Sequence, residues 1–210
     1  MNSRHEARVI LATRNRHKIE ELLRLLNVPG IVFEDLRSWP PLPEVEEDGA
    51  TYEENAIKKA REIADATGLP ALADDSGLDV DALGGAPGLH SARYAGQGAS
   101  DAANRAKLLQ AMAAVPDERR TARFRCVIAI AIPDGSAMTV QGSCEGTILR
   151  EERGSGGFGY DPLFLPEGER ETFAEMSDAQ KDALSHRGVA VRRAAEVLAG
   201  LVLDTPSTGP

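Results

Sequence analysis

Apolar residues occur in short runs separated by polar, glycine-rich or proline-rich links, and the spacing inside the runs alternates between that of a strand and that of a helix. Arg8 to Thr13 (RVILAT) reads as a buried strand. After the polar link Arg14-Asn15-Arg16-His17-Lys18, Ile19, Leu22, Leu23 and Leu26 recur at helical spacing. Trp39 to Gly49 is rich in proline and acid and predicts a loop. Thr51-Tyr52-Glu53-Glu54 is a capping-box pattern opening a helix to about Thr67, where Gly68 and Pro70 stop it. Leu69 to Ala73 suits a short buried strand delivering Asp74, Asp75, Ser76 and Gly77 at its C-terminal end.

A glycine-rich loop is expected from Gly84 to Gly98, and a helix from Asp101 to Met112. Phe124 to Ile132 (FRCVIAIAI) is apolar on both faces, hence a central strand, and Pro133-Asp134-Gly135 turns it into a partner from Ala137 to Leu149. Ser177-x-x-Gln180 caps a further helix, and Val191, Ala194, Ala195, Leu198 and Leu201 mark the last one. Strand–helix units around a central hairpin predict an α/β protein on a mixed sheet. The tail from Thr205 to Pro210 reads as disordered.

Composition narrows this picture. With 210 residues, 42% of them hydrophobic, the chain supports one substantial core or two lobes sharing a sheet. No stretch approaches the roughly 20 apolar residues that span a bilayer, and the charged start is unlike a signal peptide, so a cytoplasmic protein without membrane contact is expected. A net charge of -9 speaks against a nucleic-acid surface. A phosphate ligand must therefore meet a local basic cluster or a metal ion. Cys126 and Cys144 lack a Cys-x-x-Cys pattern and read as small buried residues, not zinc ligands.

Four segments carry candidate chemistry. Thr13 to Lys18 lies between a strand and a helix, where free backbone N–H groups favour a phosphate; basic residues that are merely solvated are the alternative. The acidic set comprises Glu46, Glu47, Asp48, Glu54, Asp74 and Asp75. Capping explains Glu54, whereas Asp75 before Ser76-Gly77 fits a strand-end site with a hard-oxygen ligand for magnesium or a base for water. Gly154 to Pro162 contains a formal G-x-G-x-x-G, but Pro162, Phe164 and Pro166 follow where a dinucleotide site needs a helix. Phe158 there is either a plate for a base or a core residue. Ser185-His186-Arg187-Gly188, preceded by Lys181, groups donors that read a base or cap a helix. A P-loop is excluded, because no glycine is followed by lysine.

Taken in series, VILATRNRHK, GATYEENAIKKARE, LADDSGLDVDALGGAPGLHSARYAG, GGFGYDPLF and SHRG resemble the inosine triphosphate pyrophosphatase family, the dITP/XTP pyrophosphatases, from Val9 to about Leu201. Arg14 stands where a glycine is frequent, and Cys144 where a tryptophan often stands. The resemblance implies an α/β domain over residues 1–204, an elongated mixed sheet with flanking helices in two lobes around a substrate cleft, and a homodimer. It implies Mg²⁺-dependent hydrolysis of dITP, ITP and XTP to the monophosphate and pyrophosphate. By motif, the loop Thr13, Arg14, Asn15, Arg16, His17 and Lys18 would hold the triphosphate, with Lys59 assisting. Asp75 would be base or metal-linked carboxylate, and Glu46 the second metal ligand, with Glu47 its rival. Ser76, Phe158, Gly159, Tyr160 and Asp161 would surround the nucleoside, and Lys181, His186 and Arg187 would contact the base.

Overall fold

The computed structural model describes residues 6–42, 44–133 and 135–204, with side chains through residue 200. The tail expected to be disordered lies outside the described residues. Strand β1 (Ala7–Leu11), helix α1 (Arg16–Leu25) and strand β2 (Ile31–Asp35) form a strand–helix–strand unit with parallel pairing, Val9 opposite Phe33. Helix α2 (Tyr52–Thr67) leads into β3 (Ala71–Val80), also parallel to β1, with Leu11 opposite Leu72. A two-residue strand β4 (Pro87–Gly88), helix α3 (Asp101–Ala111), strands β5 (Thr121–Ala131), β6 (Ala137–Ile148) and β7 (Phe164–Pro166), and helices α4 (Asp178–Leu184) and α5 (His186–Asp204) follow. The sheet runs β2-β1-β3-β5-β6-β7, with β4 antiparallel to β3. Antiparallel pairing of β6 with β7 makes the sheet mixed, as expected.

The described residues divide into two compact units. The first takes the chain up to Asp75, Val127–Gln141 and the chain from Ala190; the second takes Ser76–Cys126 and Gly142–Val189. In the first, α2 lays Ala56, Ala60, Ile63 and Ala64 against Ile10, Ala71, Ala73, Val127 and Ala129. The many alanines let helix and sheet approach closely. In the second, Leu78, Val80, Leu108, Met112, Phe124, Leu163, Phe164 and Phe173 form the core, with the Phe124 and Phe164 rings edge to face at 4.7 Å. Among the described residues no helix is long and apolar enough to cross a membrane.

Two expectations change. β3 does not end at Ala73 but runs for ten residues, Ala71–Val80, so the acidic pair lies inside a strand. Polar side chains are tolerated there because cations meet them, as shown below, and because Leu78 and Val80 then restore the buried apolar pattern. Cys126 is fully buried, but Cys144 is only half-buried; neither forms a disulfide.

Candidate active site

β1 pairs with β3 through Ile10 opposite Ala71 and Leu11 opposite Leu72, so Asp74 and Asp75 extend beyond the C-terminal end of β1, toward the turn that opens α1. Strand ends of this kind are where α/β proteins place their sites. In the turn, the Asn15 side chain accepts from the His17 and Lys18 amides, at 3.0 and 3.2 Å, and Thr13 Oγ1 accepts from the Asn15 amide at 3.2 Å. Asn15 thus caps α1 and aims Lys18 at the sheet. Successive strand residues point to opposite faces, and the two aspartates follow that rule. Asp74 meets Lys18 of α1, with Nζ 3.1 Å from Oδ1, while Asp75 faces α2.

Helix α2 is fixed at both ends, by Thr51 Oγ1 accepting from the Glu54 amide and by Gly68 in the left-handed conformation. Glu54 reaches back to the Ala50 amide, which supports its reading as a cap. The buried stripe of α2 includes Asn55 and Lys59, four residues apart, so both project toward the sheet. Lys59 Nζ donates to Glu47 Oε1 at 2.7 Å, to the Asp74 carbonyl at 2.8 Å and to Asp75 Oδ1 at 2.9 Å. All three ammonium protons are used. Asn55 Nδ2 donates to Asp75 Oδ2 at 3.3 Å, and its Oδ1 accepts from the Gly49 amide at 2.8 Å.

Burial pushes the Asp75 carboxyl above the ordinary carboxylate range, against the opposing pull of Lys59 and Lys18. Burial is also the largest influence on Lys59 and lowers it, but Asp75, Asp74 and Glu47 together leave it raised. A charged, fully bonded ammonium therefore sits beside a carboxylate more basic than usual. Glu46, Glu47 and Asp48 are all exposed on the acidic loop; Glu47 reaches this cluster, and Asp48 pairs with Lys58 at 2.7 Å. Arg14, Arg16 and His17 are exposed; Arg14 donates to the Leu42 carbonyl, and Arg16 and His17 face Glu20.

The second unit gathers the other expected residues. Asp161 is buried and its Oδ2 accepts from Lys181 Nζ at 2.6 Å and from the Phe158 amide at 2.8 Å. Gly157 has φ +67°, and a Cβ there would collide with the Asp161 carboxylate, so glycine is required on both counts. The half-buried Phe158 ring has Lys181 Nζ at 5.0 Å and the Arg187 guanidinium carbon at 5.6 Å from its centroid. Arg187, 1% exposed, donates to Ser76 Oγ at 2.9 Å. His186 stacks on Phe124 at 4.7 Å. Lys181 comes from α4, and His186 and Arg187 from the start of α5; Ser177 and Gln180 form the expected capping box at the start of α4. Tyr160 is 4% exposed, within the second core, and its hydroxyl donates to the Ser91 carbonyl at 2.9 Å. A short 3-10 turn, Asp161–Leu163, and then β7 follow the glycine-rich loop.

Sequence reasoning missed Asn55, although its place four residues before Lys59 on an apolar stripe was a usable signal. It also missed Asp101 and Arg105, which hold Gly159; their partner is 54 residues away from Arg105, and no local pattern reports it.

The arrangement matches known proteins over nearly its whole length. The model of the Ham1 family matches residues 9–197. A dITP/XTP pyrophosphatase of Desulforamulus reducens is 54% identical over 91% of this chain and 95% of its own. One from Syntrophobacter fumaroxidans is 56% identical over 87% of this chain and 78% of its own. The structure of a HAM1 protein from Coxiella burnetii superposes with a TM-score of 0.85 at 44% identity, covering 92% of this chain and 99% of that one. The resemblance drawn from the motifs therefore holds, and the chain belongs to the Ham1 family.

Proposed function

We propose that this protein is an Mg²⁺-dependent pyrophosphatase that hydrolyses dITP, ITP and XTP to the nucleoside monophosphate and pyrophosphate. The observation that carries this reading is the cluster in the first unit: three carboxylates, Glu47, Asp74 and Asp75, against two ammonium groups, Lys18 and Lys59. A polyanion gains nothing from excess carboxylate unless a further cation accompanies it. The names of the relatives supply the substrate class. The family resemblance adds a cytoplasmic homodimer.

The donor set fits magnesium, which takes hard oxygen ligands from one or two carboxylates and completes its shell with water and substrate phosphates. Asp75 would hold it together with Glu47, which already converges with Asp75 on one ammonium; Glu46, expected from the motif, is the less favoured choice. When bound, the ion supplies charge neutralisation at the phosphate oxygens. Lys18 and Lys59 provide fixed positive charge for a departing pyrophosphate. Asp75, held by Lys59 and Asn55, accepts a proton from the attacking water. Thr13 and the start of α1, which Asn15 keeps in shape, bind phosphate oxygens, and Arg14, Arg16 and His17 add diffuse positive charge.

In the second unit Phe158 offers a stacking surface, while Asp161 keeps Lys181 in place and Ser76 orients Arg187. Donation from His186 and Arg187 to position 6 of the purine suits the oxo group of hypoxanthine or xanthine. The amino group of adenine would put donor against donor. The test is product analysis with dITP, XTP and dATP. The expected result is monophosphate and pyrophosphate in equal amounts from dITP and XTP, slow turnover of dATP, and loss of activity in excess chelator. Diphosphate with free phosphate as primary products would overturn the reading.

A further inference from the structure

The loop carrying Phe158 is gripped by helix α3. Asp101 Oδ2 accepts from the Gly159 amide at 2.7 Å, and Arg105 donates through Nη1 to the Gly159 carbonyl at 2.9 Å. The two side chains stand four residues apart on one face of α3, the spacing at which an acid and a base normally pair with each other. Here they bracket the single residue Gly159 instead, one holding the peptide before its α-carbon and the other the peptide after it. Arg105 is itself anchored by Glu152 at 2.9 Å and is largely buried, and α3 is capped by Ser100, whose Oγ accepts from the Ala103 amide at 3.2 Å. Gly159 adopts φ +59° with nothing within 4 Å of a Cβ position, so the two peptides flanking it are oriented by these partners and not by packing around its α-carbon. The Phe158 amide, the next one back along the chain, donates to Asp161.

We propose that Asp101 and Arg105 are positioning residues that fix the Phe158 ring as a preformed stacking surface for the purine. This rests on the assignment of Phe158 to base stacking. A ring already locked in place loses little freedom when a base stacks on it, whereas a ring on a loosened loop must be ordered by the ligand. Stacking does not read base edges. Loss of the clamp therefore weakens every purine triphosphate by a similar factor and leaves discrimination between bases unchanged.

Steady-state kinetics with dITP, XTP and dATP on Asp101→Ala, Arg105→Ala and the double variant test this, alongside hydrogen exchange of residues 154–163. The expected result is a KM raised roughly tenfold in the double variant, the scale of one lost hydrogen bond to a charged group, with kcat within about twofold. Exchange at Gly159 and Phe158 should accelerate. Asp101→Asn, which keeps an acceptor oxygen, should restore most of the affinity and the protection, and it remains informative if the double variant does not fold. Unchanged KM, or a fall in kcat alone, overturns the proposal. Phe158→Ala in the same assays separates the two ideas. If it raises KM while the clamp variants do not, only the clamp fails; if it leaves KM unchanged, the stacking assignment fails and the clamp's role with it.

Discussion

Asp74 and Asp75 are adjacent and chemically identical, yet the strand gives them different work. Asp74 is neutralised by Lys18, while Asp75 shares Lys59 with Glu47 and receives Asn55 on its other oxygen. Asp75→Asn keeps the size and an acceptor for Lys59 but removes the charge that takes up a proton. It also turns an amide toward the Asn55 amide. The expected loss in kcat is on the order of 10²-fold with dITP, with KM little changed. Asp74→Asn should lose far less in kcat, because its carboxylate serves to hold Lys18. Initial-rate kinetics on the two variants decide the matter, and near-normal turnover by Asp75→Asn would move the role to its neighbour.

Among the elements, α2 carries the most chemistry, since one stripe of it supplies Asn55 and Lys59 and also the alanines of the first core. Its C-terminal end rests on Gly68 at φ +68°, where an added Cβ would meet nothing. Gly68→Ala therefore costs backbone strain alone, about 1 kcal/mol, or roughly 2–4 °C in Tm for a chain of this size. Activity should be unchanged, because Lys59 lies two turns nearer the start of the helix. Gly157→Ala is the informative contrast. It combines the same strain with a collision against Asp161, so both Tm and dITP affinity should fall. Thermal unfolding and KM measured on the two variants check this.

For the molecule as a whole, charge sets how stability responds to pH. Glu34, Asp35 and Glu175 are held below their ordinary values, chiefly by hydrogen bonds from Arg8, from Arg37 and from the Thr172 backbone respectively. Their stabilisation is present above the ordinary values of 4.5 for Glu and 3.8 for Asp, and it is lost as pH falls through the lower folded values. Asp75 works in the opposite sense, since its raised value makes protonation easier in the folded protein. At alkaline pH, burial pushes the Cys144 thiol from 9.0 to about 12. The unfolded chain then gives up that proton first, so stability declines as pH rises from 9.0 toward the folded value. Lys59, also raised, adds a loss in the same direction at higher pH. Urea midpoints should fall below about pH 4.5 and again above about pH 9, and Cys144→Ser should flatten the alkaline decline. A Cys144→Ser curve parallel to that of the unmodified protein above pH 9 would contradict the assignment.

Local chemistry sufficed for what depends on neighbours along the chain. Apolar spacing defined the strands and helices, Thr51, Gly68 and Ser177 set the helix ends, and the order of motifs disclosed the family, because caps and periodicity act over a few residues. The length of β3 was not legible, since a pair of aspartates reads as the end of a strand until Lys18 and Lys59 arrive from two helices to neutralise it. The choice of Glu47 over Glu46 at Lys59, the bond of the Tyr160 hydroxyl to the Ser91 carbonyl and the grip of Asp101 and Arg105 on Gly159 were likewise decided by tertiary structure. Each turns on which group a side chain meets across the fold. Composition and spacing determine what a residue is able to do; only the folded chain determines what stands within 3 Å of it.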